Sequence, residues 1–409
     1  MKKFFALLLS LAMVLALVAC GQKETTTPDD TQTPDDTTPE VEYKVAMITD
    51  YGDITDQSFN QTTYEACKAF AEDNSIEFSY FKPAGDNTAD RVAMIEKAVD
   101  EGFNVIVMPG YAFGGAIVEA APEFPDVKFI ALDVAAGDLL ETAVAKVGES
   151  YDYTPENWDL NKYVDMSNVY YAVNQEELCG YMAGYATVKL GYKSLGFLGG
   201  MAVPAVVRYG YGFVQGANAA AADMGLTDVT INYIYGGQFF GDADITAVMD
   251  TWYQGGTEVV FACGGGIYTS AVDAAKKVDG KVVGVDVDQA GVIANYAGVE
   301  GMTVTSAMKG LYPATYDTLT DVIVNGNWDK YVGKIATLGL VSGTDPEANY
   351  VQIPMGDGTQ WSDSFTQDDY KAMVKDMFDG KITVSNDTTK APTDFATAIT
   401  VNAQGQIKG

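Results

Sequence analysis

Histidine is absent from this 409-residue chain, and cations are scarce: 25 Lys and Arg stand against 56 Asp and Glu, a formal charge of −31. Without an imidazole there is no Ser-His or Cys-His nucleophile and no His-dependent metal site. Any catalysis would have to rest on carboxylates, lysine or tyrosine. The acidity argues against nucleic acid and anionic lipid head groups as partners, and otherwise reports solubility more than ligand. Cysteine is scarce too, with four in the chain. Cys67, Cys179 and Cys263 form no close pair and sit in apolar or small-residue surroundings, so buried free thiols are expected, without disulfide or metal. Phosphate-binding signatures are missing as well. Neither a Gly-x-Gly-x-x-Gly turn nor a Gly-x-x-x-x-Gly-Lys-Ser/Thr loop occurs, and Gly264-Gly-Gly266 reads as a tight turn after a strand.

What is present begins with Lys2 and Lys3, an apolar run from Phe4 to Ala19 broken by Ser10, and Leu17-Val-Ala-Cys20. A short positive region, an apolar region and a small-residue cleavage site make residues 1–19 a secretory signal, too short to favour a membrane span. The Leu-Val-Ala-Cys ending resembles a bacterial lipobox, which implies cleavage before Cys20 and its acylation. The mature protein is then expected at the cell membrane, lipid-anchored on the extracytoplasmic side. Removing Lys2 and Lys3 takes the charge from −31 to −33. Residues 20–41 read as a disordered linker: the stretch 22–41 repeats Thr-Pro-Asp-Asp-Thr, carries almost no apolar side chain and reaches at most about 65 Å when extended.

The folded part is too long for one ordinary domain and suits two. Strand patterns near 44–49, 76–80, 103–108 and 127–132 alternate with helical patterns near 60–73, 88–101 and 113–122. A second series follows Asn168-Val-Tyr-Tyr-Ala-Val173, with strands near 194–199, 229–235, 258–263 and 281–286 and helices near 175–190, 206–224, 243–254 and 267–278. Alternation of this kind makes each lobe α/β, with a doubly wound parallel sheet and right-handed crossovers. Ligands of such sheets bind beyond the carboxyl ends of the strands. There the chain places Asp50 to Asn60, Tyr111 and Asp133 from the first lobe, and Gly264 to Tyr268, Asp286 and Gln289 from the second. Met302 to Lys309 is a short β-rich run ending in a lysine, which in so acidic a chain is expected to face a carboxylate or a ligand.

Within Asp50-Tyr-Gly-Asp-Ile-Thr-Asp56-Gln-Ser58-Phe59-Asn60, carboxylates, an amide, a hydroxyl and a ring gather where an apolar strand ends. Such a cluster can read a small, flat, polar ligand, while Asp56 and Ser58 can also serve as helix-capping supports.

Asp56-Gln-Ser-Phe-Asn60 and Gly284-Val-Asp-Val-Asp-Gln289, with Phe129-Ile-Ala-Leu-Asp133, Gly180-Tyr-Met-Ala-Gly184, Gly196-Phe-Leu-Gly-Gly200 and Thr305-Ser-Ala-Met-Lys309, occur in an order that resembles the basic membrane protein family. These bacterial lipoproteins are substrate-binding components of ABC transporters and include the purine nucleoside receptor A group. The resemblance implies a type I periplasmic-binding-protein fold, two lobes joined by hinge strands, closing on a nucleoside. It implies that Asp50, Asn60 and Asp133 lie near the base, that Phe59 stacks on it, and that Asp286 and Lys309 hold the ribose. A ribose diol suits a carboxylate that accepts and a cation that donates. The second stacking aromatic stays open among Tyr268, Tyr111 and Phe240. Implied partners are a nucleoside, an ABC permease and its ATPase, and the membrane through Cys20; no cofactor, no metal and no nucleic acid are expected, and the protein is expected to be a monomer.

On this reading residues 42–172 with 303–345 form the first lobe, 173–302 with 346–390 the second, and 391–409 a C-terminal tail. Crossings between lobes are expected near 168–174, 301–306 and 340–348, and 150–166, rich in aromatics, looks like an insertion near the cleft mouth. Other ligands remain open within the transport role, riboflavin or a sugar among them. Two rivals come from other classes: an extracellular nucleoside hydrolase using Asp53, Asp56 or Asp133, and a surface adhesin that reuses the fold.

Overall fold

A computed structural model describes residues 42–408. The signal sequence, Cys20 and the linker lie outside the described residues.

The first parallel sheet is built on inner strands that are apolar runs of five or six residues, with a partly exposed strand at its edge, Glu77–Phe81. It contains β1 (Lys44–Ile48), β2 (Glu77–Phe81), β3 (Val105–Pro109), β4 (Lys128–Leu132) and β5 (Val169–Asn174). Between these strands lie α1 (Phe59–Asn74), α2 (Thr88–Asp100), α3 (Gly114–Ala120), α4 (Ala136–Lys146) and the single turn α5 (Leu160–Tyr163). The second lobe continues with α6 (Glu176–Lys189), β6 (Ser194–Gly199), α7 (Pro204–Met224), β7 (Thr230–Tyr235), α8 (Ala243–Gln254), β8 (Val259–Cys263), α9 (Tyr268–Ala275), β9 (Lys281–Asp286), α10 (Ala290–Ala297) and β10 (Thr303–Lys309). The chain ends with α11 (Leu311–Leu319), β11 (Ile335–Leu338), β12 (Val351–Gln352), α12 (Gln367–Phe378) and β13 (Thr400–Gln406). Strand order is β11-β5-β4-β3-β1-β2 in one sheet and β12-β10-β9-β8-β6-β7-β13 in the other, with β12 antiparallel to β10.

Both sheets are covered on both faces, so their central strands are apolar throughout; Val105 to Pro109 and Val259 to Cys263 are wholly buried. The alternating helices and strands lie where the sequence pattern expects them.

Pairing moves two of the expected boundaries. β10, read from the sequence as part of the first lobe, hydrogen-bonds in parallel to β9 of the second sheet. The chain therefore returns to the first lobe after Lys309, when α11 packs beside α1, and not near 301–306. Residues 391–409, read as a tail, contain β13, which extends the second sheet by pairing in parallel with β7. Its partner strand lies 170 residues earlier, at Thr230 for Thr400, so no local pattern announces the pairing. Three connections cross between the sheets: β5 to α6, β10 to α11, and β11 to β12.

Helices α6 and α7 approach unusually closely, because glycines face each other along the contact. A Cβ on Gly184 would stand 2.1 Å from the Phe213 carbonyl oxygen, and one on Gly212 would stand 2.1 Å from that of Glu177. Only hydrogen is tolerated at such distances. This contact brings the start of α6 against the first turns of α7, which carry residues of the site.

Candidate ligand-binding site

A cavity of about 420 Å³ lies between the carboxyl ends of the two sheets. That volume suits a small organic ligand. Asp50, Phe59, Asn60, Tyr111 and Asp133 line it from the first sheet; Arg208, Tyr209, Phe240, Asp286 and Lys309 line it from the second.

The opening loop is organised by two carboxylates. Asp56 accepts from the backbone amides of Ser58, Asn60 and Gln61 at 2.9 to 3.1 Å, closing the N-terminus of α1 as a support. Asp50 Oδ1 accepts from the amides of Tyr51 and Gly52 at 2.6 and 2.7 Å and from Asn60 Nδ2 at 3.1 Å. Asn60 Nδ2 also donates to Asp56 at 3.1 Å, so both carboxylates fix the amide. Burial raises the pKa of Asp50, while the two amides oppose the rise. Its second oxygen is left as an acceptor beside Gly110, whose positive φ of 122° brings the backbone close.

At the centre is Lys309, buried at the end of β10. Its ammonium contacts Asp133, lies 3.6 Å from Glu176 Oε1 and 3.7 Å from Asp286 Oδ1, and stands 4.6 Å from the centroid of the Phe59 ring. Burial works against its charge, but Asp133, Asp286 and Glu176 outweigh burial and hold its pKa above the ordinary lysine value. Asn174, last residue of β5, donates to Asp133 Oδ1 at 2.9 Å. Ser58 and Tyr209 donate to the two oxygens of Asp286 at 2.5 and 3.1 Å. Asp133, just after β4, and Asp286, the last residue of β9, have φ of 58° and 64°, a left-handed conformation that non-glycine residues adopt at some cost and that clusters at functional sites.

The structure thus brings Asp50, Phe59, Asn60, Asp133, Asp286, Lys309 and Tyr111 to one cavity. Asp133, expected near a base, lines the cavity and also contacts Lys309, because β4 ends beside β5 and opposite β10. Tyr268 does not line the cavity: it is buried on α9 with its ring edge-on to Tyr296 at 5.8 Å. Phe240 is exposed at the wall, and Tyr111 sets its hydroxyl 3.8 Å from Met201 Sδ, across the cleft. Residues 150–166 do not line it either; Tyr151 and Tyr163 pack about Trp158 at 5.7 and 5.4 Å, beside the start of α4. Cys67, Cys179 and Cys263 are free and buried, as their surroundings predict.

Sequence reasoning missed Arg208, Tyr209, Glu176 and Asp138. Arg208 donates from Nε to Glu176 Oε2 at 2.7 Å, and Glu176 is wholly buried. Both had a signal in the sequence: Arg208 is the one cation of the 21-residue α7, and Glu176 and Glu177 are the only acids of a largely apolar α6. Asp138 lines the cavity and accepts from the Ala135 amide at 2.8 Å; burial, partly offset by that amide and Arg208, raises its pKa to about 7.

Residues 43–345 match the Bmp family, described as ABC transporter substrate-binding protein PnrA-like. The chain belongs to the Bmp family. It is similar to the ABC transporter nucleoside-binding protein BmpA of Lactococcus lactis, 24% identical over 359 residues, 84% of this chain and 90% of that one. It is also similar to the CD4+ T-cell-stimulating antigen of Listeria monocytogenes, 28% identical over 336 residues, 78% of this chain and 84% of that one. Among solved structures, an ABC transporter solute-binding protein of Aeropyrum pernix superposes with a TM-score of 0.59 at 19% identity, covering 86% of this chain and 90% of that one. That likeness shows the fold, a periplasmic solute-binding fold. As a Bmp-family substrate-binding protein, the chain works with the permease and ATPase components of an ABC transporter. No helix among the described residues is long and apolar enough to cross a membrane.

Proposed function

We propose that this protein captures a nucleoside, with a purine base, in the cleft between its sheets and delivers it to a permease from a lipid anchor at Cys20. The observation that carries the reading is the pairing of a ring with a mixed charge cluster: Phe59 stands 4.6 Å from Lys309, which lies 3.7 Å from Asp286. A nucleoside needs both features, a flat base to stack and a diol to hold. Phe59 stacks on the base, Asp50 and Asn60 read its edge, and Asp286 with Lys309 takes the ribose hydroxyls; base stacking contributes about 1–3 kcal/mol. Tyr111 and Phe240 are the two remaining candidates for a second ring. The name of the Lactococcus relative, a nucleoside-binding protein, supports the same ligand. Relatives named as lipoproteins in Pyrococcus species support the anchor.

Binding, not hydrolysis, is supported by how the carboxylates are engaged. Asp56 caps α1, Asp133 is paired with Lys309, and Asp53 lies 2.7 Å from Lys82. Each already serves a partner that a general base would have to leave.

Calorimetric titration of the purified protein with inosine, adenosine, riboflavin and a hexose tests the proposal. Saturable binding of a purine nucleoside, lost in Asp286→Ala, is the expected result. Binding of riboflavin or the hexose with none of a nucleoside would overturn the ligand, and hypoxanthine released from inosine would overturn the binding role.

A further inference from the structure

Arg208 faces the cavity from α7, apart from the residues assigned to the base and the diol. Its Nε bond to the buried Glu176, at 2.7 Å, is the hydrogen bond that fixes the guanidinium. The Nη groups make no hydrogen bond among the described residues and remain as donors at the cavity wall. Asp138 lines the same cavity from the first lobe. Its Oδ2 accepts from the Ala135 amide at 2.8 Å, and its Oδ1 accepts from no donor among the described residues. Donor and acceptor thus share one cavity, and neither is used by the residues around it.

Their position relative to the Lys309 cluster says what they would meet. Glu176 links the two, since one oxygen binds Arg208 and the other lies 3.6 Å from Lys309 Nζ. Arg208 therefore adjoins the end of the cavity that takes the ribose. Beyond its diol, a nucleoside's sugar has one further group that both accepts and donates, the 5′-hydroxyl.

We infer that Arg208 and Asp138 form the subsite for the ligand's 5′-hydroxyl, Arg208 donating to its oxygen and Asp138 accepting its hydrogen. The inference rests on the nucleoside reading. Charge then limits the ligand further. Asp133 and Asp286 already engage Lys309, and Glu176 engages Arg208, so both cations of the site are matched by carboxylates. A 5′-phosphate would add about −1.5 to −2 charges at neutral pH. The site takes the free nucleoside, and a phosphate ester has to be hydrolysed to its alcohol before capture.

The test is a cycle of two ligands and two proteins, read by calorimetry: inosine and 5′-deoxyinosine against the unaltered protein and Arg208→Met. The unaltered protein should prefer inosine by about 10-fold or more, as expected when a buried donor and acceptor lose their partner. Inosine 5′-monophosphate should bind more weakly than inosine. In Arg208→Met the preference should fall to near unity, and Asp138→Asn, should Arg208→Met fail to fold, should reduce it likewise. Equal weakening of both ligands would assign Arg208 a merely structural role and overturn the inference, as would an unaltered protein that does not distinguish them. Failure of the unaltered protein to bind either inosine or adenosine would instead sink the nucleoside reading itself.

Discussion

Ser58 Oγ donates to Asp286 Oδ2 at 2.5 Å, joining the start of α1 in the first lobe to the end of β9 in the second, 228 residues away. Close by, Gln289 Nε2 donates to the Gln57 carbonyl at 3.2 Å, so the same two loops meet twice. Both contacts span the cleft, and one of them occupies a carboxylate assigned to the ligand. Ser58 is more than the helix support that its place beside Asp56 suggests.

Ser58→Ala should loosen the cleft without ligand. A hydrogen bond to a charged group is worth about 1.5–3 kcal/mol, enough to shift an open-closed balance about 10- to 100-fold. Solution scattering should give the ligand-free variant a larger radius of gyration than the unaltered protein, with compaction restored by inosine. An unchanged radius would mean that this bond does not bias closure.

Lys309→Met should damage stability as well as binding. It would leave Asp133, Asp286 and Glu176 facing one another without their shared cation. Removing one partner of a buried ion cluster costs about 3–5 kcal/mol, so the melting temperature should drop by several degrees or more. Adding Asp133→Asn should recover part of the stability but none of the ligand affinity. If Lys309→Met melted like the unaltered protein, the cluster's assigned role in the fold would be wrong.

Phe59→Ala separates binding from folding. The ring is half-buried and stands at the cavity wall rather than in a core cluster. Calorimetry should show nucleoside affinity reduced by about 10- to 100-fold, in line with the loss of one stacking ring, with only a small change in melting temperature. A large stability loss with affinity intact would return Phe59 to a packing role.

With no histidine in the chain, titration between pH 5 and 8 falls to buried carboxylates. Asp138 and Glu177 are both raised to about 7 from ordinary values of 3.8 and 4.5, chiefly by burial, and Glu177 also by its neighbour Glu176. With folded pKa values above the unfolded ones, the native state holds protons that the unfolded chain has released. The stability this gives is complete below about pH 4 and is lost as pH rises through about 7. The melting temperature should therefore fall between pH 5 and 8, and the double variant Asp138→Asn, Glu177→Gln should flatten that slope. An unchanged slope would exclude these two groups as its source.

Truncation after residue 390 tests the role of the C-terminal strand. It would remove β13 and strip the edge of β7 of its hydrogen-bonded neighbour. Denaturant unfolding should show a lower midpoint than the full chain; an equal midpoint would make the strand an ornament.

The two-lobed alternation of strands and helices is legible in residue order, because each buried parallel strand is a short apolar run and each helix a 3.6-residue pattern between turn signals. Residue order also carries the strand-end positions of Asp50, Phe59, Asn60, Asp133, Asp286 and Lys309, since polar residues immediately after apolar strands are visible without a structure. Which strand joins which sheet, and which charges meet, is settled by the folded chain alone. β10 pairs with β9 and not within the first lobe, β13 closes an edge 170 residues away, and Asp133 meets Lys309. Tyr268 turns into its own core, while Arg208 and Glu176 come together across a glycine-lined helix contact. Periodicity reports which face of an element is buried; it carries no information about distant partners, and an ion pair is fixed by the approach of two backbones that local pattern never encodes.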